Sequence, residues 1–189
     1  MAGTDLVLAG RAVDLTARVL VAGVVPAPRF GREGEVLALA AAVEAAGADL
    51  VDLTLPPRLA GPAAQAAGVP VAMRAETDAE VRAARAGGAH LVLVAPDLAD
   101  RLAGEGSAAA ALAVVVDDLG AVAAACALAG RLGLPVAVDA SRWSGPEAVG
   151  REAAAVALGC RLIRTTDVRR SRRVAEVMGA ILAARGAAA

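Results

Sequence analysis

The chain has 189 residues, of which 58% are hydrophobic, 21% are charged and 1% are aromatic, and its formal net charge is −1. This length fits one domain that can bury a sizeable core. The apolar fraction excludes a disordered chain, and the near-zero charge argues against a protein that coats a polyanion. Lys, Asn and Tyr are absent, so the chain has no Schiff-base lysine and no tyrosine acid.

Short Val- and Leu-rich runs alternate with Ala-rich stretches of helical period, which predicts βα units around a parallel sheet. The runs are almost continuously apolar, as in strands that are buried on both faces. Strands are predicted at residues 19–25, 49–54, 69–73, 90–94, 112–116, 135–139 and 161–165. Helices are predicted at residues 34–46, 62–67, 78–86, 96–102, 119–132, 146–158 and 168–185. On this pattern alone, a doubly wound open sheet and a closed barrel both remain possible.

Several residue types mark the ends of these helices. Glycines follow five of them, where a left-handed C-cap is expected, at positions 47, 68, 87–88, 133 and 159. Thr77 and Glu80 predict a capping box, and Pro146 is expected at the first turn of a helix. The last helix carries an apolar stripe that predicts packing against the sheet, formed by Val174, Val177, Met178, Ile181 and Leu182. Residues 104–107 look like a flexible insertion.

The cysteines and the N-terminus give little indication of what the protein does. Cys126 and Cys160 have no second ligand at metal-binding spacing, so we expect buried free thiols and no metal site. No basic segment precedes an apolar run at the N-terminus, and the longest apolar run, residues 108–116, is too short to span a bilayer. We therefore expect a cytoplasmic protein with no membrane partner.

Polar residues cluster where the predicted strands end, and ligands of parallel α/β folds bind at those ends. They are Asp52 with Thr54, Arg74, Asp117 with Asp118, Asp139 with Ser141 and Arg142, and Arg164 with Thr165, Thr166 and Asp167. The guanidinium groups of Arg142 and Arg164 suit a phosphate or another planar anion. Alternatively, each arginine pairs with a neighbouring carboxylate such as Asp139 or Asp167 and only closes the structure. One of Asp117 and Asp118 is expected to cap the next helix.

Two further candidates favour structural roles. His90 has no partner recognisable in sequence, so a satisfied or exposed imidazole is expected rather than a catalytic base. The basic residues 169–173 have no interleaved aromatics, so a solvated helix start is expected rather than nucleic-acid binding. Arginines at a helix N-terminus nevertheless oppose the helix dipole, which leaves room for an anion or an acidic partner there.

Four segments together resemble dihydropteroate synthase, the pterin-binding barrel of folate biosynthesis. They are GRAVDLTARVLVAGVVPAPRFGREGE at residues 10–35, GADLVDLTLP at 47–56, LGLPVAVDASRW at 132–143 and LGCRLIRTTDVRRSRRV at 158–174. The resemblance implies that residues 1–189 form one TIM-barrel-like α/β domain with an N-terminal extension. Only seven parallel strands are visible, and the short interval between residues 94 and 112 predicts that one βα unit is missing.

The resemblance also assigns roles to single residues. Arg164 matches the arginine that stacks on the pterin and meets its phosphates, Ser141 and Arg142 match the start of a Ser-Arg-Lys motif, and Asp117 matches an aspartate that holds the ring. Asp167 matches the Asp of the terminal motif. Other family positions are changed: they hold Val25, Arg29, Arg74, Leu93, Val94, Trp143 and Thr166, and the second loop is reduced to Pro56, Pro57 and Arg58.

The combined loss of these donors predicts a degenerate synthase-like protein without normal turnover. Our leading hypothesis is that it binds a pterin or another anionic ligand, with Arg164, Arg142, Asp117, Ser141, Thr166, Arg74 and Trp143 as the candidate site. No cofactor is expected, except Mg²⁺ if synthase-like activity remains.

Two alternatives stay open. One is a non-catalytic partner or regulatory subunit that pairs with a synthase or with itself, as a homodimer or other oligomer, through the last helices. The other is an enzyme with an altered phosphate- or pterin-bearing substrate. For that enzyme, Arg74 would suit a more anionic ligand and Trp143 would offer a stacking face.

Overall fold

Seven parallel strands form a closed barrel in the structure, a computed structural model that describes residues 5–25, 33–54, 57–104 and 112–187. Two strands form a separate hairpin, β1 (Asp5–Leu8) and β2 (Arg11–Asp14). The seven barrel strands are β3 (Leu20–Val25), β4 (Leu50–Leu53), β5 (Val71–Ala75), β6 (Leu91–Val94), β7 (Leu112–Val116), β8 (Val136–Asp139) and β9 (Leu162–Thr165). The helices are α1 (Glu33–Ala45), α2 (Ala60–Ala67), α3 (Asp78–Ala86), α4 (Pro96–Gly104), α5 (Val122–Leu132), α6 (Gly145–Ala157) and α7 (Val168–Ala187). Short 3₁₀ turns, Pro57–Leu59 and Leu119–Ala121, precede α2 and α5.

The barrel consists of β3 to β9, each paired in parallel with the next strand along the chain. It closes because β9 also pairs with β3, with Ala22 opposite Arg164. The pattern of βα units and the seven barrel strands are therefore confirmed, and the open sheet is excluded. Between β6 and β7 the described residues contain only α4, while most of the predicted 104–107 insertion lies outside the described residues.

Side-chain alternation along each strand divides the core into two layers. Outward-facing residues pack under the helices, and inward-facing residues fill the lumen. The antiparallel hairpin of β1 and β2 adds Leu6 and Leu8 to the lumen cluster, and Leu15 joins them from the segment that follows. These leucines lie against the first inward residues of the barrel strands, so the hairpin closes the N-terminal end of the lumen. The other end, where the strands terminate, is the mouth of the barrel.

Most of the predicted helix ends are confirmed, although the cap Gly87 is right-handed and Gly88 takes the left-handed conformation. Gly68 and Gly133 are left-handed C-caps, each donating its backbone N–H to the carbonyl four residues earlier. Thr77 and Glu80 form the complete capping box, and Pro146 lies in the first turn of α6. None of the described helices has both the length and the apolar character needed to cross a bilayer.

The predicted packing of the α7 stripe is only partly correct. Val174 is buried and Met178 is half-buried, but Val177 is 60% exposed and Ile181 is 39% exposed. The reason is the direction of the side chains: with 3.6 residues per turn, Val177 and Ile181 lie to one side of the helix face that Val168, Val174 and Ala175 bury. These two apolar side chains of α7 therefore remain at the surface.

Candidate functional site

Four barrel strands place a charged residue at the mouth of the lumen. In β4, β5, β8 and β9 an inward apolar residue is followed two positions later by a charged one, in the pairs Leu50 and Asp52, Ala72 and Arg74, Ala137 and Asp139, and Leu162 and Arg164. Because side chains two apart share a face of a strand, all four charges point into the same end of the barrel. The corresponding positions of β3, β6 and β7 are apolar.

Arg164 is the centre of this charged group. Its Nε donates to Asp52, and its Nη1 donates to Asp139 Oδ2 at 2.7 Å and to Ser141 Oγ at 3.2 Å. Arg74 reaches the same Asp139 oxygen from the other side of the barrel, at 3.2 Å. Two guanidinium groups therefore balance two carboxylates. The alternative in which Arg164 pairs with a neighbouring carboxylate holds for Asp139, and Asp52 is a further partner.

The two carboxylates have pKa values shifted in opposite directions. Complete burial raises the pKa of Asp52 to about 6, although the Arg164 guanidinium acts against this shift. Burial would also raise the pKa of Asp139, but hydrogen bonds from Ser141 and the charge of Arg164 outweigh it and leave that pKa below its usual value. Asp52 Oδ1 is buried with no hydrogen-bond partner in the described part of the chain. This atom is an acceptor that the protein leaves unused.

A cleft of about 350 Å³ opens beside this network, between the ends of β4 and β5 and the start of α3. Arg74 and Arg164 line it together with Glu76 and Glu80. The Arg74 side chain is 38% exposed. Within the described residues no hydrogen bond involves Arg164 Nη2, so this nitrogen remains able to donate to a ligand in the cleft.

Arg142 and Asp117 are the predicted site residues that the network does not include. Both are exposed, and neither has a hydrogen bond or ion pair with the described residues. Arg142 follows Ser141 in the turn after β8, and Asp117 follows β7. Asp118 accepts the backbone N–H of Gly120, so one of the two neighbouring aspartates caps the next turn, as predicted.

Thr166 and Trp143 are held in place by neighbouring groups. The Thr166 hydroxyl donates to the backbone carbonyl of Ser141 at 3.1 Å. One face of the Trp143 ring is covered by Arg151, whose guanidinium carbon lies 5.9 Å from the ring centroid. Arg170 Nη1 also donates to the Trp143 carbonyl. The Trp143 side chain also packs against the outer layer of the core, so this contact and Arg151 both reduce the ring surface on which a ligand could stack.

Several positions at which this chain differs from the resembled family hold apolar residues, and the structure buries them. Val25, Leu93 and Val94 are fully buried, and their side chains can neither donate nor accept a hydrogen bond. Arg29 and Pro56 lie outside the described residues.

Asp52 and Asp139 belong to the site but are absent from the candidate site residues, although the sequence already places both at strand ends. Each is the only acid within a buried strand, and that placement is the signal that could have identified both.

The mouth does not fit a protein-bound magnesium ion. Its buried carboxylates are occupied by guanidinium groups, and the described residues contain no group of three or more His, Cys, Asp or Glu that could hold a metal.

His90 accepts the backbone N–H of Val71 through Nδ1, which confirms a satisfied imidazole.

A second buried ion pair lies outside the barrel, between α6 and α7. Glu152 is fully buried and accepts from Arg170 and from the Ser171 hydroxyl, both at 2.9 Å. Asp167 accepts the backbone N–H of Arg170. A groove of about 460 Å³ runs along the outer surface of these two helices, lined by Val149, Val177 and Arg173 among others.

Comparison with known proteins agrees with this architecture. The chain matches no family model and no curated protein. Among solved structures it is similar to the dihydropteroate synthase of Yersinia pestis, with 20% identity, a TM-score of 0.70, and coverage of 94% of this chain and 98% of that one. It is also similar to the enzyme of Thermus thermophilus, with 22% identity, a TM-score of 0.67 and the same coverage.

A third similar structure is the Xanthomonas albilineans dihydropteroate synthase with 4-aminobenzoic acid. It is 18% identical, has a TM-score of 0.69, and the match covers 96% of this chain and 98% of that one. The chain therefore has the fold of the dihydropteroate synthases.

Proposed function

We propose that this protein is a dihydropteroate synthase-like member of the folate pathway that binds a pterin or another planar anionic ligand at the barrel mouth without normal synthase turnover. The main support for this proposal is the position of the Arg164 guanidinium. Its guanidinium is fixed by Asp52 and Asp139, while Nη2 remains available beside the cleft. A guanidinium fixed in this way is preorganised for a ligand.

The guanidinium groups near the mouth, rather than its net charge, support an anionic ligand, since Glu76 and Glu80 also line the cleft. Asp52 and Asp139 neutralise Arg164 and Arg74 within the network, whereas exposed Arg142 brings an additional positive charge to the turn after β8. Guanidinium groups bind phosphate and carboxylate groups with two parallel hydrogen bonds. Arg164 also matches the arginine that stacks on the pterin in the resembled family, and Arg142 matches the second residue of its Ser-Arg-Lys motif.

The same positions argue against ordinary synthase chemistry. Loss of pyrophosphate from a pterin carbon needs donors placed at the leaving group. Leu93 and Val94 provide none, the Thr166 hydroxyl is used by the Ser141 carbonyl, and Arg74 is paired with Asp139 where the family has an acid. Removal of one such donor can lower a rate by about 10²-fold, so the combined change should abolish normal turnover.

The experiment is native purification followed by mass spectrometry of retained small molecules, together with a turnover assay using dihydropterin pyrophosphate and p-aminobenzoate. We expect a retained or stabilising pterin or phosphate compound and no dihydropteroate. Dihydropteroate formation that is lost in Arg164→Ala would overturn the proposal of a degenerate site. A retained phosphate compound that the protein converts would instead support the altered-substrate enzyme, for which the partly exposed Arg74 in the cleft lining is the favouring observation.

A second candidate function is that of a binding subunit, and the outer face of α6 and α7 favours it. Val149, Val177 and Ile181 are exposed there, and Arg173 and Glu176 beside them carry both signs of charge. A two-fold contact between copies needs such a self-complementary surface. We propose a second copy of this chain as the occupant of this face.

Size-exclusion chromatography with light scattering tests this candidate. We expect a dimer that Val177→Asp converts to a monomer, while Val7→Asp on the exposed face of the β1–β2 hairpin leaves it intact. A wild-type monomer, or a dimer unaffected by Val177→Asp, would contradict the candidate.

A further inference from the structure

The only two cysteines of the chain lie side by side, although they belong to different elements. Cys126 is in α5, and Cys160 lies in the short segment between α6 and β9. The two thiols lie close enough for each to shift the pKa of the other, and a Cβ on Gly159, the residue before Cys160, would lie 2.9 Å from Cys126 Sγ. The fold therefore places two thiols within reach of each other on the outer side of the barrel, away from the charged mouth.

Gly159 permits this approach. Its φ of +123° is a conformation that favours glycine, and a Cβ at this position would lie 2.9 Å from Cys126 Sγ. Because the glycine has no side chain, the thiol of Cys126 can pack directly against the backbone beside Cys160.

The two thiols differ in exposure and in acidity. Cys126 is half-buried, whereas Cys160 is fully buried. The neighbouring Cys160 thiol, aided by the positive charge of Arg161, lowers the pKa of Cys126 to about 7. The same contact and burial raise the pKa of Cys160. Cys126 is thus the thiol that combines access with thiolate character, which together determine cysteine reactivity.

We propose that Cys126 and Cys160 form a reversible redox pair, in which Cys126 is oxidised by a peroxide and Cys160 resolves the product as an intramolecular disulfide. The Cys126 thiolate attacks one oxygen of hydrogen peroxide, the O–O bond breaks, and the departing hydroxide is protonated to water. The Cys160 sulfur then attacks the resulting sulfenic acid, the S–O bond breaks, and the leaving hydroxide takes the Cys160 proton. Two thiols lose two electrons in total, and one peroxide becomes two waters.

The disulfide would join α5 to the start of β9, the strand that carries Arg164. It requires no ligand at the barrel mouth, so the inference stands independently of the proposed function.

The first test is peroxide treatment of the folded protein at neutral pH, followed by intact mass and thiol counting under denaturing conditions. We expect the loss of two hydrogen atoms, the disappearance of both thiols, and recovery of both with dithiothreitol. In Cys160→Ser, Cys126 should accumulate as a sulfenic acid that dimedone traps. A wild-type protein in which dimedone labels Cys126 while Cys160 still alkylates, or in which only intermolecular disulfides form, would overturn the proposal.

The second test measures the rate of Cys126 alkylation as a function of pH. It tests the contact between the Cys126 and Cys160 thiols without oxidising them. Cys160→Ser keeps a hydrogen-bond donor beside Cys126, and Cys160→Ala removes it. We expect the midpoint of the profile to rise in Cys160→Ala and to rise less in Cys160→Ser. Arg161→Met should also raise it, with Arg161→Lys as the matched control that keeps the charge. An unchanged midpoint in Cys160→Ala would contradict the assigned pairing.

Discussion

Asp52 and Asp139, both at the barrel mouth, differ in the number of hydrogen bonds that their carboxylates accept. Asp52 is fully buried, and only one of its two carboxylate oxygens has a partner. Asp139 accepts from Arg74, Arg164 and Ser141. The unsatisfied oxygen explains why desolvation raises the pKa of Asp52, whereas for Asp139 the hydrogen bonds from Ser141 and Arg164 and the charge of Arg164 together outweigh desolvation.

This difference predicts opposite effects of pH on stability. A carboxyl whose pKa is raised in the folded state binds its proton more tightly there, so the free energy of unfolding falls as pH rises from about 4 to about 6. With the pKa of Asp52 at about 6 in the folded protein, wild type should lose on the order of 3 kcal/mol more than Asp52→Asn across this window. Urea denaturation at several pH values measures the difference.

Asp139→Asn is the control for that measurement. Because the pKa of Asp139 is lowered, its contribution to stability is present at higher pH and is lost as pH falls below the usual aspartate range. This variant should therefore alter the acid limb and keep a smaller fall between pH 4 and 6, because the charge of Asp139 also raises the pKa of Asp52. Parallel curves for wild type and Asp52→Asn in that interval would contradict the account.

Packing between elements depends on one glycine in β3. A Cβ on Gly23 would lie 2.2 Å from Val43 Cγ1 and 2.8 Å from Val168 Cγ2, the side chains with which α1 and α7 cover the strand. Both helices can approach β3 closely only because this position has no side chain. Gly23 is therefore needed so that α1 and α7 can contact the strand, and not because the backbone has a conformation that favours glycine.

We expect Gly23→Ala to lower the free energy of unfolding by about 1–3 kcal/mol through overpacking. Adding Val43→Ala should recover part of that loss, because it removes the clashing methyl group and the two substitutions are coupled. Gly130→Ala, on α5 where a Cβ meets nothing within 4 Å, is the control and should be neutral or stabilising. Equal losses in Gly23→Ala with and without Val43→Ala would show that Val43 is not the obstacle.

For the molecule as a whole, the lumen is sealed at one end by leucines and carries charges at the other. Leu6 and Leu8 of the hairpin share a buried cluster with inward residues of the barrel, including Leu20 and Leu162. The hairpin therefore completes the core of the barrel and acts as more than an appendage.

Leu8→Ala should accordingly lower the free energy of unfolding by about 2–5 kcal/mol, as for other buried leucines. Its neighbour Val7 is 53% exposed, and Val7→Ala should change stability by no more than about 0.5 kcal/mol. Denaturant unfolding of the two variants compares them directly. A loss in Leu8→Ala as small as that in Val7→Ala would mean that the barrel is stable without its plug.

The sequence predicted local features well, because the residues that determine them are neighbours in the chain. Gly68, Gly133 and the Thr77–Glu80 capping box are examples. Barrel closure was not predictable from the pattern, since it depends on β9 meeting β3 from the far end of the chain. The Arg164–Asp52 contact across the lumen was missed for the same reason.

Calorimetric titration with dihydropterin pyrophosphate measures whether the barrel mouth binds an anionic pterin-like ligand. We predict saturable one-site binding that weakens by about tenfold or more in Arg142→Ala, since this residue pairs with no described group and its loss leaves the fold intact. Arg131→Ala, an exposed arginine at the end of α5, should bind as wild type does. Absence of binding, or equal affinity in Arg142→Ala and wild type, would contradict the account.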